Sequence, residues 1–384
     1  MENLSLDELI DLIHSVFPLQ PDDRFLGILI DLPKNKEADN DDWRIRRKMA
    51  TEWADALREN LKALDLDDVT LFAYPNVGSN NAELPSFAYL RKWGRPLPSY
   101  ASDLEESCRK ISFEEIFKKV KIIMAPTQYS ATAPLKNAAR KFDLRAATMP
   151  GFSPAMIPTL KIDYSEVNRR VLKIKEKLDR AEAAEVFFLV DNIDEYKMLF
   201  DLRFRNAHAS TGRFPDRGVA GNLPSGEAYI VPYEGEKEEP SLTQGTLPVQ
   251  IDNHIVLFYI KENRAIKAEG ESPAAEEEQS HLIKEPAYGN MAELGFGVLK
   301  DFGILPVGKI LQDEKLGFHI AFGRSEHFGG IIGPDDFSSP EEVIHLDRIY
   351  IAATQPRITV QSIILKYPDG QNRLDPSSAK AVIR

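Results

Sequence analysis

The chain has 384 residues, enough for two or three domains, of which two suit the element lengths better. With 43% hydrophobic and 28% charged residues it has the composition of an ordinary globular protein with a sizeable core. Sixty acidic against forty-eight basic side chains leave a formal charge of −12, which repels phosphate backbones. No local basic patch offsets it along the sequence, so no nucleic-acid partner is expected.

The single cysteine, Cys108, excludes a disulfide framework, a four-cysteine zinc site and a CxxC redox motif. No apolar run reaches the roughly 18 residues needed to cross a bilayer, so no membrane partner is expected either. Residues 1–17 are acidic and amphipathic, which reads as a helix and not a signal peptide, and the expected compartment is the cytoplasm. The acid excess is uneven: residues 227–286 hold thirteen acidic and five basic side chains, a balance of −8.

Leu6, Leu9, Ile10, Ile13, Val16 and Phe17 recur at helical spacing. Residues 25–32 (FLGILIDL) form a nearly continuous apolar run of the buried-strand type, and 41–64 carry Trp53, Leu57, Leu61 and Leu64 on one helical face. Strands follow at 69–74 and 121–126, with a helix opened by a Ser112/Glu115 capping box between them. A helix at 132–142 and a fourth strand at 145–149 complete an alternation that predicts a parallel α/β sheet. Neither GxGxxG nor GxxxxGK[ST] occurs at a strand-to-helix turn, so nucleotide binding by this half is unsupported.

Three prolines within 150–163 and a charged helix at 165–184 place the domain boundary, giving an N-terminal α/β domain over 1–165 and a C-terminal domain over 166–384. The second half reads as strand-rich α+β. It has a hairpin over 186–204, strands near 228–232, 255–260, 319–322, 344–352 and 360–365, and a helix over 290–301. The acidic stretch 262–285 reads as a solvated loop or exposed hairpin end, with Glu269, Glu271 and Glu276–Glu278 as loop acids.

Several catalytic classes fall away. Cys108 lies in LEESCRK without a nearby histidine, no GxSxG elbow exists, and no HExxH occurs. Three of the seven histidines, His319, His327 and His345, fall close together, and Asp347 follows His345 by two. On a strand, positions i and i+2 leave the same face, so imidazole and carboxylate emerge together, and His319 in HIAFG can join them from a neighbouring strand. Two histidines and a carboxylate make a divalent-metal core. Glu227 in GNLPSGEAYIVP and Glu293 in NMAELGFG add carboxylates whose apolar surroundings call for a partner. Taken singly, a His-x-Asp pair is more often an exposed pair, and a lone Glu after Gly more often a cap or a solvated acid. His14, His208, His254 and His281 show no ligand-like spacing and read as structural or surface residues.

In this order, GNLPSGEAYIVP, AELGFG, DEKLGFHIAFGRS and HLD resemble the aminopeptidase T (AmpS) family of metallopeptidases, over about residues 200–384. The resemblance implies an N-terminal α/β domain, a C-terminal domain with a dinuclear metal site, and a homodimer. Carried over by position, it implies metal ligands at Glu227, Glu293, His319, His345 and Asp347, with Glu293 the bridge. Characterised members carry a tyrosine just after the GRS segment. Here GRS runs into Glu326–His327–Phe328, so that His327 can serve as ligand or proton carrier, or Glu326 as base. Arg324 reads as a partner for the acids, or as a group that orients a substrate carboxyl.

The leading expectation is therefore a hydrolase, an aminopeptidase acting on small peptides, using two Zn, Co or Mn ions and a shared activated water. The fold is also similar to ring-cleaving dioxygenases acting on dihydroxypyridine. On that alternative His319, His345 and Asp347 would bind a single Fe(II) for a small-molecule substrate. A third expectation is a structural or binding homologue in which hydrolysis has been lost.

Overall fold

The computed structural model describes residues 3–374 and 381–382. Among these, no helix is long and apolar enough to cross a membrane. The chain forms two compact units, residues 1–168 with 212–225, and residues 169–211 with 226–384.

The first unit is built on a seven-stranded sheet. Across it run Val219–Asn222, Arg145–Thr148, Ile122–Ala125, Phe25–Leu32, Asp68–Pro75, Phe87–Leu90 and Arg109–Ser112. The first five are parallel, and Phe87–Leu90 pairs antiparallel with both of its neighbours. Seven of the eight residues of Phe25–Leu32 are buried, as a central parallel strand covered on both faces requires. The capping box of Ser112 and Glu115 opens the helix Phe113–Lys119, as the sequence predicts. The helix Asp41–Glu59 ends five residues before the expected 64, because Asn60 leaves helical geometry and Leu61–Leu64 tightens into a 3₁₀ turn. Edge-on ring contacts of Trp53 with Phe152 (5.7 Å) and Tyr74 with Phe113 (5.8 Å) anchor the core, each ring contributing about 2–3 kcal/mol by burial.

The second unit contains two antiparallel sheets. The larger has eight strands, Arg264–Glu269, His254–Lys261, Gln244–Ile251, Asp194–Asp201, Ala183–Val190, Ile358–Tyr367, Gly370–Leu374 and Ala381–Val382 in spatial order. The smaller has five: His345–Ile349, Phe318–Gly323, Met291–Gly297, Glu227–Ile230 and His208–Ser210. Phe318 and Phe322 of the smaller sheet meet Phe188 (6.4 Å) and Phe258 (5.1 Å) of the larger, so one face of the five-stranded sheet is committed to the core.

Two expectations need correction. The helix expected over 290–301 is instead the strand Met291–Gly297, all seven residues buried, followed by a 3₁₀ turn. A short apolar run has no period that separates buried strand from buried helix, and its glycines mark close approach of neighbours. The stretch 262–285 is a tight hairpin turn at Glu262–Asn263, the strand Arg264–Glu269 and the helix Pro273–Lys284 capped by Ser272. Glu276 and Glu277 are exposed, but Glu278 is buried, accepting from Tyr288 and from Arg348 at 2.7 Å. It is a structural acid and not a loop acid.

Candidate metal centre

The second face of the five-stranded sheet carries the chemistry. Register sets His319 opposite Gly295, Ala321 opposite both Glu293 and Asp347, Gly323 opposite His345, and Glu227 opposite Gly297. Directly opposed residues share a face, so the five residues expected to be ligands from the motifs emerge together, interleaved with glycine and alanine. The register shifts between Met291 and Glu293, so that Met291 sits opposite Phe322 on the core side while Glu293 joins the polar side.

The glycines make the room. A Cβ on Gly295 would stand 2.0 Å from His319 Nε2, and one on Gly297 would stand 2.1 Å from the Lys315 backbone. Only hydrogen at position 295 lets the imidazole lie flat over the central strand.

Among the described residues two groups of possible ligands result, each with its donor atoms within 4.8 Å of one another: Glu227, Glu293 and His319, and Glu293, His345 and Asp347. Glu293 belongs to both. Its Oε1 faces His319 Nε2 at 3.2 Å and its Oε2 faces His345 Nε2 at 3.3 Å. The far nitrogens are also placed: His345 Nδ1 lies 2.8 Å from the Arg324 carbonyl, and His319 Nδ1 lies 3.3 Å from the Gly317 carbonyl. A backbone carbonyl on Nδ1 turns Nε2 towards the carboxylates, the arrangement that orients imidazole ligands. Glu227 Oε2 is buried with no hydrogen-bond partner and lies 3.7 Å from His319 Nε2. An orphaned carboxylate oxygen is costly unless a cation meets it, so this donor set fits a metal.

The charges respond to this crowding. Burial alone would raise the Glu293 carboxyl, but hydrogen bonds from His319 and His345 outweigh it and hold it well below the usual carboxylate range. Burial opposes charge on both histidines, yet Glu293 raises His319 to about 10, and Glu293 with Asp347 raises His345 to about 9. Burial, with the charge of Glu314 added, lifts Asp347 to about 7. Without metal, the site therefore holds protons at neutral pH that a cation must displace.

His327 and Glu326 stand apart from both groups. Glu326 accepts from Arg324 Nε at 2.7 Å and from the His327 backbone at 2.8 Å, so its carboxylate is committed to these neighbours and not to either ligand group. His327 lies 3.3 Å from Glu326 and edge-on to His345 at 5.3 Å, and burial beside His345 lowers it to about 4. It is neutral at pH 7 and borders the histidine of the second group.

Sequence reasoning passed over Lys315, Glu314 and Tyr229 here, and read His208 as a structural or surface residue. Lys315 is fully buried, with Nζ 3.0 Å from Glu227 and in contact with Glu314. Glu314, engaged by Lys315, lies outside both groups, and its charge reaches both Glu227 and Asp347. Tyr229 follows Glu227 by two on the same strand face, and burial with the charge of Glu293, Glu227 and Glu314 raises its phenol well above the ordinary value. His208 stacks on Tyr229 at 5.2 Å, and Phe328 meets Tyr229 edge-on at 4.7 Å. The signal was present: DEKL places an acid and a lysine just before the His319 strand, and a lysine that is buried must have acids around it.

No family model and no curated protein sequence matches the chain. Among solved structures, 2,5-dihydroxypyridine dioxygenase from Pseudomonas putida is similar over 99% of this chain and 99% of its own, at 12% identity and a TM-score of 0.59. AmpT, aminopeptidase T, from Thermus thermophilus is similar over 98% of this chain and 99% of its own, at 13% identity and a TM-score of 0.55. The chain shares the α/β fold of these two proteins from end to end.

Proposed function

We propose that this protein is a metal-dependent aminopeptidase, a hydrolase that removes N-terminal residues from peptides at a two-metal site. The observation that carries the reading is Glu293, whose two oxygens face two different histidines and whose carboxylate belongs to both ligand groups. A carboxylate so placed is suited to bridge two cations. Glu227, Glu293 and His319 would hold one, and Glu293, His345 and Asp347 the other. Two divalent ions there supply a water of lowered pKa and a polarised scissile carbonyl. Mixed His and carboxylate ligation suits Zn, Co or Mn alike.

The remaining residues take roles from position. The Glu314 carboxylate, outside both groups and held by Lys315, accepts the proton of the attacking water and returns it to the leaving amine nitrogen. The Tyr229 phenol stays protonated and offers its O–H to the oxyanion that develops on the carbonyl. Carboxylates at 227, 293, 314 and 347 favour a substrate α-ammonium, the group that distinguishes a peptide N-terminus.

One observation favours a second reading. The Lys315 ammonium rests on Glu227, where a second cation would lie. With Lys315 standing in for one ion, the centre would be mononuclear, an Fe(II) site for a ring-cleaving dioxygenase, and His208, Tyr229 and Phe328 would provide an aromatic wall for its substrate.

Metal analysis of protein purified without chelator, paired with turnover of aminoacyl-p-nitroanilides, tests both. About two zinc-like ions per chain and turnover restored by Co²⁺ or Zn²⁺ are expected. A single iron with no turnover across leucyl, alanyl and arginyl substrates overturns the peptidase in favour of the dioxygenase. No metal at all leaves a structural homologue.

A further inference from the structure

The basic residues are scattered in sequence, yet the folded first unit gathers several around one cavity. The cavity, about 430 Å³, opens on the seven-stranded sheet beside the helix Phe113–Lys119. Its floor is apolar, formed chiefly by Phe25, Phe72, Leu90, Ile111 and Val120. Five cations line it, Arg58, Arg91, Lys92, Arg109 and Lys119, against two carboxylates, Asp68 and Glu115.

Both carboxylates are already engaged. Asp68 pairs with Arg58 at 3.1 Å, and Glu115 is held in the capping box with Ser112. Arg91 is neutralised by Asp55 from outside the lining. That leaves Lys92, Arg109 and Lys119, all exposed and, among the described residues, without a carboxylate at ion-pair distance. Trp93 completes the wall. Its ring is flanked by Arg58 at 4.9 Å and Arg91 at 5.9 Å, yet it remains 44% exposed.

The two features constrain the ligand jointly. An inorganic anion would satisfy the three cations but leave the apolar floor wet. A neutral hydrocarbon would cover the floor but strip water from Lys92, Arg109 and Lys119, which hold no carboxylate at ion-pair distance among the described residues, although Lys119 rests over the Phe25 ring at 4.2 Å. The volume lies within the range of small-molecule sites. We propose that this cavity binds a small apolar carboxylic acid as its anion. The hydrocarbon body rests on the Phe72–Leu90–Ile111 floor, and the carboxylate is directed to Lys92, Arg109 and Lys119.

The test uses the full chain and naphthalene carboxylate, with the corresponding amide as a neutral match in size. Trp93 reports on the cavity, because the other two tryptophans, Trp43 and Trp53, are 5% and 1% exposed. Saturable quenching at one ligand per chain is expected, with the amide and the Arg109→Glu/Lys119→Glu variant each about tenfold weaker or more by calorimetry, and binding weakened by salt. Both exchanged side chains are exposed, so the fold is expected to persist, which circular dichroism checks; Lys92→Glu gives the same test should the double variant not fold. Equal affinity for acid and amide, unchanged affinity in the charge-reversal variants, or no saturable binding overturns the proposal.

Discussion

The two ligand groups share Glu293 but occupy different electrostatic surroundings. In the group of Glu227 and His319 these side chains are 9% and 1% exposed, and Lys315 already sits on Glu227. In the group of His345 and Asp347 they are 19% and 11% exposed, no ammonium among the described residues pairs with either carboxylate, and burial lifts Asp347 to about 7. A cation entering the inner group must share Glu227 with Lys315. A cation entering the outer group must only displace protons. The difference teaches that equal ligand counts do not make equal sites, and that the outer group fills first if both are metal sites.

The largest expected effect erases the distinction altogether. Glu293→Gln removes the shared bridge, so bound metal should fall to near zero by elemental analysis, and peptidase turnover about a thousandfold or more. Gly295→Ala attacks the inner group alone. Its Cβ would collide with His319 Nε2, so about one ion per chain should survive, with stability lowered by about 1–3 kcal/mol in chemical denaturation. Were both ions retained, the assignment of His319 to a separate inner group would be wrong.

Lys315→Met sharpens the contrast from the other side. It strips the ammonium from Glu227 and Glu314, so the metal-free protein should lose about 3 kcal/mol. Added divalent metal should recover much of that loss, with a higher affinity at the inner group by calorimetry. If metal binding is unchanged, Lys315 does not compete with the inner cation.

Proton coupling follows from the raised histidines. His319 near 10 and His345 near 9 are both charged at pH 7, and Asp347 at about 7 is half protonated there, so metal must expel about two to three protons, and affinity should rise steeply between pH 6 and 9. Calorimetry in buffers of different ionisation enthalpy counts those protons. In the metal-free protein the same shifts act on stability. Their contribution is complete below the unfolded histidine value near 6.5 and is lost as pH rises through about 9 to 10, so the melting temperature should fall over that interval. A melting temperature that rises there would contradict the direction of the shifts. The smallest effect expected is that of Tyr229→Phe, which should lower kcat about tenfold with KM and metal content little changed.

Much of the site was legible before folding was considered. His345 and Asp347 at i and i+2, and Glu227, Glu293 and His319 in their motifs, are the residues that the register brings onto one face. The alternation of a strand is local, so a sequence reports it well. What escaped was set by neighbours. Nothing local distinguishes MAELGFG as a strand from a buried helix, and its place between the Glu227 and His319 strands decides the matter. Glu326 read as an available base, but Arg324 two residues earlier folds back onto it. Lys315 was passed over because burial, not residue type, makes it important, and Glu314 because its place beside the buried Lys315 does.

The sequence by itself determined the alternating parallel architecture of the first unit, the strand-rich character of the second, and the residue types that meet at the proposed centre. These depend on periodicity and spacing within short segments. Only the tertiary structure decided that Glu293 stands between two histidines, that Lys315 is buried against Glu227, and that three exposed cations of the first unit, with no carboxylate at ion-pair distance among the described residues, gather around an apolar floor. Each of those depends on which strands pair and on what is removed from water, and the strength of a charge is set by that environment and not by its place in the chain.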